Sequence, residues 1–204
     1  PALPHLTELF LSQCPPFEDD IPQRFPMLQY LFVPLSPALT SLPPSFCSLS
    51  HLRAVNFQQT NLTTLPDCLG TLTQLSSIDL TLTRLTALPP SFGSLSNLTH
   101  LILNLSPISS GPGNQHIASL SNLTSLAFLS LTGTNVATLP NDFGARLQKL
   151  QTFHMSSTPL SSIPNSFCLA SALVELVVTR NALTYVPPCF DSLRNIRVAD
   201  FSYN

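Results

Sequence analysis

A single hydrophobic pattern recurs nine times along this sequence and limits what the chain can fold into. Each copy reads L-x-x-L-x-L-x-x-(N/T/S/C), with other apolar residues at some of the leucine positions. A unit of this length cannot bury its apolar side chains by itself, so neighbouring units must stack to form one continuous core. The copies begin 22 to 28 residues apart, at Leu6, Leu28, Leu52, Leu75, Leu98, Leu126, Leu150, Leu173 and Ile196.

The first six residues of each copy predict a short strand. Leucines two residues apart point to the same side of a strand, toward the core, and the residues between them point outward. The sequence therefore predicts an α/β fold: a right-handed solenoid with a parallel sheet on its concave side and short helical or 3₁₀ segments on its convex side. We interpret residues 1–204 as one array of eight repeats and the start of a ninth, a segment of a longer protein without its caps.

Two further columns complete each repeat. A short polar residue closes the strand pattern, from Cys14 and Ser36 to Asn204. We expect these side chains to satisfy buried backbone groups, and a column of mostly Ser and Thr to do so less well than one of Asn. A second column, which is apolar, predicts a core spine along the convex side, formed by Phe25, Phe46, Leu69, Phe92, Ile117, Phe143, Phe167 and Phe190.

The return segments carry the motif L-P-x-x-F-x-x-L, as at Leu88-Pro89, Phe92 and Leu95. With the L-x-x-L-x-L strands, this motif resembles the leucine-rich-repeat superfamily over essentially the whole chain. Within that superfamily it is similar to the 23-residue class of Ras-group-related proteins and receptor ectodomains. The resemblance implies a curved solenoid that binds proteins, peptides or glycans on its concave sheet. The chain departs from the family in having mostly Thr and Ser where the family has an Asn column.

Composition argues against several classes of partner. Only 9% of the residues are charged, with 8 basic and 10 acidic side chains. The lack of a basic patch argues against nucleic acid. No apolar run reaches the ~18 residues that span a bilayer, so we expect no membrane insertion by this segment. The sequence Gly111–Gly113 lacks the lysine of a phosphate-binding loop, and we predict no cofactor.

Four of the five cysteines occupy matching positions in two pairs of neighbouring repeats. Cys47 and Cys168 each follow a spine phenylalanine, and Cys68 and Cys189 each precede the next spine residue, 21 residues later. This register favours two disulfides, Cys47–Cys68 and Cys168–Cys189, over two pairs of buried thiols. Cys14 lies in the polar column and is interpreted as a free, buried thiol. Disulfides would place the protein in an oxidising compartment.

Four N-L-(S/T) triplets are possible glycosylation sites and point to the same compartment. A repeat that keeps using N-L-T also creates such triplets by chance, so their support is weak. We take Asn61, Asn97 and Asn122 as glycosylation candidates. Asn104 falls on the concave face and is expected to be the least occupied.

One repeat is 28 residues long and breaks the pattern after Ile108. Residues 109–117 read SSGPGNQHI, which predicts a flexible bulge followed by an extra helical turn through Leu120 and Leu123. Such a bulge is either a tolerated surface insertion or a functional loop.

The sequence contains little that could support catalysis. Ser130, His154 and Glu175 fall on neighbouring strands and superficially mimic a hydrolase triad. The predicted sheet is open to water there and no oxyanion donors are evident, so we predict that the chain is not an enzyme. The cysteines and histidines lack the tight spacing of metal ligands, and we predict no metal site.

The outward strand positions form the candidate binding face. Exposed aromatic residues on adjacent strands mark interface anchors, and Phe10, Tyr30 and Phe32 form such a group unless a cap covers them. The pair Ile102 and Phe128 lies in the middle of the array, beyond the reach of any cap. The full set of candidate contacts is Phe10, Tyr30, Phe32, Asn56, Asp79, His100, Ile102, Phe128, His154, Glu175 and Arg180.

Two hypotheses about function remain. In the first, the chain is the ectodomain of a secreted or cell-surface receptor-like protein that binds a protein, peptide or glycan and takes part in signalling. In the second, it is a cytoplasmic signalling scaffold of the Ras-group type, which would present a more charged concave face and reduced thiols. The state of the cysteines distinguishes the two hypotheses.

Overall fold

The computed structural model describes residues 2–204 and contains one open sheet. Its nine strands are all parallel and pair in sequence order, which confirms the strands predicted from the repeat. The strands are β1 (Glu8–Phe10), β2 (Tyr30–Phe32), β3 (Ala54–Asn56), β4 (Ser77–Asp79), β5 (His100–Ile102), β6 (Phe128–Ser130), β7 (Thr152–His154), β8 (Glu175–Val177) and β9 (Val198–Asp200).

The central residue of each strand points into the core, and identical positions of successive repeats face each other. Leu31 of β2, for example, is the register partner of Leu9 on one side and Val55 on the other. In β2 to β8 these central residues are buried, whereas Leu9 and Ala199 in the two edge strands are more exposed. Because the register is the same at every step, each outward position also becomes a straight row across the sheet.

The convex side consists of single helical turns, as predicted. Proline sets the start of most turns because its fixed φ and missing N–H suit a first turn, and Pro89 accepts a hydrogen bond from the Phe92 amide at 2.9 Å. No helix within residues 2–204 is long and apolar enough to cross a membrane. The turns are helices α1 (Ile21–Arg24) and α2 (Phe143–Arg146) and the 3₁₀ segments Pro44–Ser48, Asp67–Thr71, Pro90–Ser94, Pro112–Asn114, Ala118–Asn122, Asn165–Leu169 and Pro188–Ser192.

The phenylalanine spine lies under these turns. Phe46, Phe92, Phe143 and Phe167 are completely buried. The rings of Phe143 and Phe167 stack with their centroids 6.2 Å apart, so the spine joins neighbouring repeats directly.

Two predicted members of the spine lie one turn away from it, although both are buried. Leu120 precedes Leu126 by six residues, as Phe92 precedes Leu98, and it occupies the centre of the corresponding 3₁₀ turn. Leu120 therefore takes the spine position that the sequence analysis gave to Ile117, because the extra residues of this repeat come before the turn.

The first repeat shows a similar shift. Helix α1 begins at Ile21 as helix α2 begins at Phe143, so Ile21 corresponds to the spine residue. Phe25 follows α1, and its amide donates to the Ile21 carbonyl at 2.9 Å. Phe25 lies three residues before Leu28, as Leu49 lies three residues before Leu52, so Phe25 falls beyond the spine position.

The polar column satisfies buried backbone carbonyls in two ways. The Thr60 hydroxyl donates to the carbonyl of Phe57 in its own repeat, at 2.8 Å. The Asn181 amide instead donates to the Met155 carbonyl in the preceding repeat at 2.7 Å, while its oxygen accepts from the Thr158 backbone amide at 2.9 Å. An asparagine thus links two repeats where Thr60 stabilises only its own turn.

On the convex side from Phe46 onward, the residue after a spine position contacts the residue before the next spine position. We call this line of contacts the convex seam. Its six pairs are Cys47 with Cys68, Gly70 with Ser91, Gly93 with Ser119, Ser121 with Asp142, Gly144 with Ser166, and Cys168 with Cys189.

Disulfides close two of the six seam pairs. The Cα atoms of Cys47 and Cys68 are 5.9 Å apart and those of Cys168 and Cys189 are 5.8 Å apart, within the usual range for a bridge. Both predicted disulfides are therefore confirmed. Cys14 is free and buried, and this burial raises the pKa of its thiol.

Glycine closes three other seam pairs by bringing backbones together. A Cβ added to Gly70 would lie 2.1 Å from the Ser91 carbonyl oxygen, and one added to Gly144 would lie 2.1 Å from the Phe167 Cα. The hydroxyls of the three serines that face these glycines, including Ser91, are buried and have no hydrogen-bond partner within the described chain. At these junctions the backbones pack closely although each serine hydroxyl is left without a hydrogen bond.

The irregular segment 109–117, which the sequence predicts as a flexible bulge, is hydrogen-bonded to the next repeat. Ser110 is buried, and its Oγ accepts hydrogen bonds from the amides of Ala137 (3.1 Å) and Thr138 (3.0 Å). The Thr138 hydroxyl in turn donates to Asn114 Oδ1 at 2.6 Å. These bonds close the repeat at a point where the regular return segment is missing.

We expect Phe92→Ala to lower the free energy of unfolding by about 3–5 kcal/mol, because it leaves a cavity in the spine. Phe10→Ala is the matched control, since Phe10 is 66% exposed, and it should cost about 1 kcal/mol or less. Urea unfolding followed by circular dichroism measures both. Equal losses for the two variants would show that Phe92 does not support the core.

Candidate functional site

The outward side chains of the nine strands form the concave face, which is arranged in two rows. The strand register aligns the first outward position of every strand in row one and the last in row two. Row one is Glu8, Tyr30, Ala54, Ser77, His100, Phe128, Thr152, Glu175 and Val198. Row two is Phe10, Phe32, Asn56, Asp79, Ile102, Ser130, His154, Val177 and Asp200.

Ten of the eleven candidate contacts predicted from the sequence lie in these two rows. The eleventh, Arg180, lies in the turn after β8, with its guanidinium 5.3 Å from the centre of the Tyr203 ring. The structure thus places ten candidate contacts on one face, and the role of all eleven as ligand contacts stays a prediction.

Aromatic side chains lie at the N-terminal end of the concave face. The rings of Phe10 and Phe32 stack in row two with their centroids 4.8 Å apart. Tyr30 lies beside them in row one and is half-buried. The predicted group is therefore a stacked pair with a tyrosine next to it.

A second aromatic group lies in the middle of the sheet. Phe128 lies between two histidines: the ring centroids of His100 and Phe128 are 6.0 Å apart, and those of Phe128 and His154 are 5.7 Å apart. Ile102, which the sequence pairs with Phe128, is its diagonal neighbour in the other row. All three rings are among the predicted contacts, but their grouping was not predicted, although His100 lies directly opposite Phe128 and His154 lies on its diagonal.

The apparent hydrolase triad lacks its central bond. A serine hydrolase needs its histidine to bond both the serine and the carboxylate. His154 Nε2 lies 3.0 Å from Glu175 Oε1, but Ser130 Oγ donates to Asn104 Oδ1 at 2.6 Å. Ser130 is also buried. Across residues 2–204, no three His, Cys, Asp or Glu side chains are placed to hold a metal ion.

The two rows contain four carboxylates, Glu8, Asp79, Glu175 and Asp200, but no Lys or Arg. Asp79 Oδ1 accepts a hydrogen bond from the Thr81 amide at 2.9 Å. Asp200 accepts from the hydroxyl and the amide of Ser202, and these bonds lower the pKa of the Asp200 carboxyl.

The residue before each polar-column position has a left-handed backbone, with φ between 53° and 71°. This conformation costs a residue other than glycine about 1–2 kcal/mol, and Asn or Gly usually occupies it. At Gly133, an added Cβ would lie 2.6 Å from Leu105 Cδ2, so the glycine leaves room for that leucine. We call this line the left-handed edge; it consists of Gln13, Leu35, Gln59, Leu82, Leu105, Gly133, Ser157, Arg180 and Tyr203.

The left-handed edge presents apolar side chains to solvent. Leu35 and Leu105 are each 55% exposed, and Leu82 is 41% exposed. Sequence reasoning places these leucines at outward positions but misses their left-handed backbone, because leucine and glutamine do not signal a positive φ as glycine or asparagine does.

The glycosylation candidates differ in what their side chains bond. Asn61 Nδ2 donates to the Pro37 carbonyl at 2.7 Å, and Asn97 Nδ2 donates to the Thr73 carbonyl at 2.8 Å. Asn122 is exposed on the convex side. Asn104 is half-buried beside the strand rows, and its oxygen accepts bonds from the Ser130 hydroxyl and the Thr132 amide.

Known proteins share the fold of this chain but little of its sequence. No protein-family model and no curated protein matches it. The structure of the plant peptide hormone receptor RGFR1 in complex with RGF2 aligns over 97% of this chain and 32% of the receptor chain, with a TM-score of 0.81 and 23% identity. A leucine-rich-repeat protein of Leptospira interrogans aligns over 98% of this chain and 63% of its own, with a TM-score of 0.69 and 21% identity.

The leucine-rich-repeat ectodomain of the Arabidopsis thaliana receptor kinase GASSHO1/SCHENGEN3 is also similar. It covers 97% of this chain and 27% of its own, with a TM-score of 0.73 and 20% identity. The chain has the leucine-rich-repeat fold. It spans less than two thirds of each of these three relatives, and at these identities the similarity shows the fold alone.

If the chain is produced in a secretory eukaryotic host, we expect Asn104 to carry less glycan than Asn61, Asn97 or Asn122. Asn104 is half-buried against the strand rows, and the Ser130 hydroxyl and the Thr132 amide hold its side-chain oxygen, which limits access of the glycosylating enzyme to its Nδ2. Peptide mass spectrometry with and without glycosidase measures the occupancy of each site. Higher occupancy at Asn104 than at the other three sites would contradict the expectation.

Proposed function

We propose that this chain is a recognition domain that binds a protein or peptide on its concave face, in a secreted or cell-surface receptor-like protein. The observation that carries this proposal is the aromatic group of His100, Phe128 and His154, in which the His100 ring is exposed and the other two rings are half-buried. It lies on β5 to β7, in the middle of the sheet, where no repeat stacked at either end would cover it. Aromatic side chains in such positions dominate the energetics of most protein interfaces.

The dimensions of the concave face support an elongated partner. Nine strands spaced ~4.8 Å apart span roughly 38 Å, the length of an extended segment of about eleven residues. Several similar structures are themselves complexes, of RGFR1 with RGF2, of GASSHO1/SCHENGEN3 with CASPARIAN STRIP INTEGRITY FACTOR 2, and of Toll with Spatzle. These complexes make a peptide or protein ligand the favoured class.

The cysteines support a secreted or cell-surface location. Two disulfides in the convex seam are typical of proteins that fold under oxidising conditions and are rare in the cytosol. Each closes a loop of about 20 residues, for which chain entropy predicts roughly 3 kcal/mol of stabilisation. A cytoplasmic scaffold would lack this contribution.

To test the binding face, we would select a random 12-residue phage-displayed peptide library on the immobilised chain. We expect Ile102→Ser combined with Phe128→Ser to weaken binding of the selected peptides at least tenfold, because the central anchors are lost. The matched control is Leu169→Ser, which removes an apolar side chain that is 57% exposed on the convex side.

Thermal unfolding of both variants would verify that the fold is intact. If the selected peptides bind the double variant as well as the original chain, or are lost only with Leu169→Ser, the concave face is not the binding surface.

To test the compartment, the protein would be isolated from its natural source with thiols blocked and mapped by non-reducing peptide mass spectrometry. We expect two cross-linked peptides, one containing Cys47 and Cys68 and one containing Cys168 and Cys189, with Cys14 alkylated only after unfolding. Five alkylated thiols would instead favour the cytoplasmic scaffold.

A further inference from the structure

We propose that the concave face binds an extended segment with two apolar side chains about five residues apart and a Lys or Arg between them, which pairs with Asp79. This inference rests on the proposed function and specifies the chemistry of the partner. It follows from the distribution of charge, from one carboxylate without a cation, and from two apolar patches on either side of that carboxylate.

The distribution of charge separates the concave face from the rest of the chain. The two rows carry four carboxylates and no Lys or Arg, whereas the whole chain has a net charge of −2. All 8 basic residues therefore lie outside the rows, and the remaining surface is net positive. Such a face attracts a cationic partner and repels both nucleic acid and the concave face of a second copy.

Asp79 is the carboxylate best placed to recognise a cation. It lies in row two on β4, close to the centre of the sheet, and it is half-buried. The ion pairs of residues 2–204 are Arg24 with Asp20, Arg146 with Asp142, and His154 with Glu175, so none involves Asp79. Its Oδ1 accepts from the Thr81 amide, which leaves Oδ2 for an external donor. A partly desolvated carboxylate gains more from such a donor than a fully exposed one.

Two apolar patches flank Asp79. The N-terminal patch consists of Phe10, Phe32 and Leu35, and Leu35 lines a shallow groove of about 640 Å³ with Gln13, Pro37, Ala38 and Gln59. The central patch consists of Leu82, Ile102 and Leu105. Leu82 follows β4, the strand that contains Asp79, whereas Ile102 and Leu105 belong to the next repeat.

Three leucines of the two patches lie on the left-handed edge and stay 41% to 55% exposed. An exposed leucine with a positive φ does not stabilise the fold, because its side chain is not buried and its backbone conformation is unfavourable. Such a residue indicates a role at the surface.

The strand spacing sets the distances in the partner. Phe32 on β2 and Ile102 on β5 are three strand spacings apart, and the midpoint of the Phe10–Phe32 pair is half a spacing further. At ~4.8 Å a spacing these separations are roughly 14 to 17 Å, or four to five residues of a segment that rises ~3.3 Å per residue. Asp79 on β4 lies roughly 10 Å from β2, or about three residues along.

The test is the composition of the peptides selected on the intact chain from the random 12-residue phage library. We expect enrichment of sequences with two apolar residues four to six apart and Lys or Arg between them. Enriched peptides without a cation, or with Asp or Glu in its place, would overturn the inference.

A charge change at Asp79 provides the sharper measurement. Asp79→Asn should weaken binding of a selected Lys-containing peptide about tenfold, and Asp79→Lys should shift selection toward Glu at the middle position. The structure indicates that Asp79→Asn will fold, because Oδ1 of Asn56, its register partner, accepts the same bond from the Gln58 amide. The matched control is Asp67→Asn, an equal change of charge on an exposed convex residue, which should leave binding unchanged.

The outcomes separate this inference from the proposed function. If binding is lost in the Ile102→Ser, Phe128→Ser variant but Asp79→Asn behaves like Asp67→Asn, the concave face binds peptides and only the inference is wrong. If binding survives the double variant, or no peptide is enriched over the phage background, the proposed function fails with it.

Discussion

The core of this protein depends on one constraint: no repeat can bury its own leucines. Each strand contributes a central residue such as Leu31 that is covered only when the same positions of the two neighbouring repeats face it. Burial therefore fixes the register of the sheet, since a one-residue slip would turn the apolar side chains outward. A fixed register also aligns every outward position into a row. The concave face is thus a geometrical consequence of the core.

The convex seam shows that one junction can be closed in several ways. The same two columns hold a disulfide at Cys47–Cys68, close backbone contact at Gly70 and a hydrogen bond of 3.0 Å from the Ser121 hydroxyl to Asp142. The disulfides stand near the two ends of the array, where fewer neighbours support a repeat, and the glycine junctions lie between them. Loss of one junction should therefore loosen the adjacent repeats more than distant ones.

The sequence predicted those features that the repeat period controls. The nine strands, the buried phenylalanines such as Phe92 and both disulfides follow from counting columns. Counting failed where the return segment changes length, so that Leu120 replaces Ile117 in the spine. Counting columns alone also missed the grouping of rings around Phe128, which requires direct and diagonal neighbours on three strands to be compared. The periodicity carries no information about a ligand, because the outward positions are free to vary.

Because the fold does not restrict the outward positions, the residues found there can indicate function. Gly133 and Gln59 occupy the same column of the left-handed edge as Leu82 and Leu105, so the fold accepts a small or a polar residue there. Likewise, Asn56 makes the same backbone hydrogen bond in its own strand as Asp79 does, so the fold does not require a carboxylate in row two. Neither the exposed leucines nor the Asp79 charge is needed to build the solenoid. Their stability costs are of the kind that proteins accept where a surface has to recognise something.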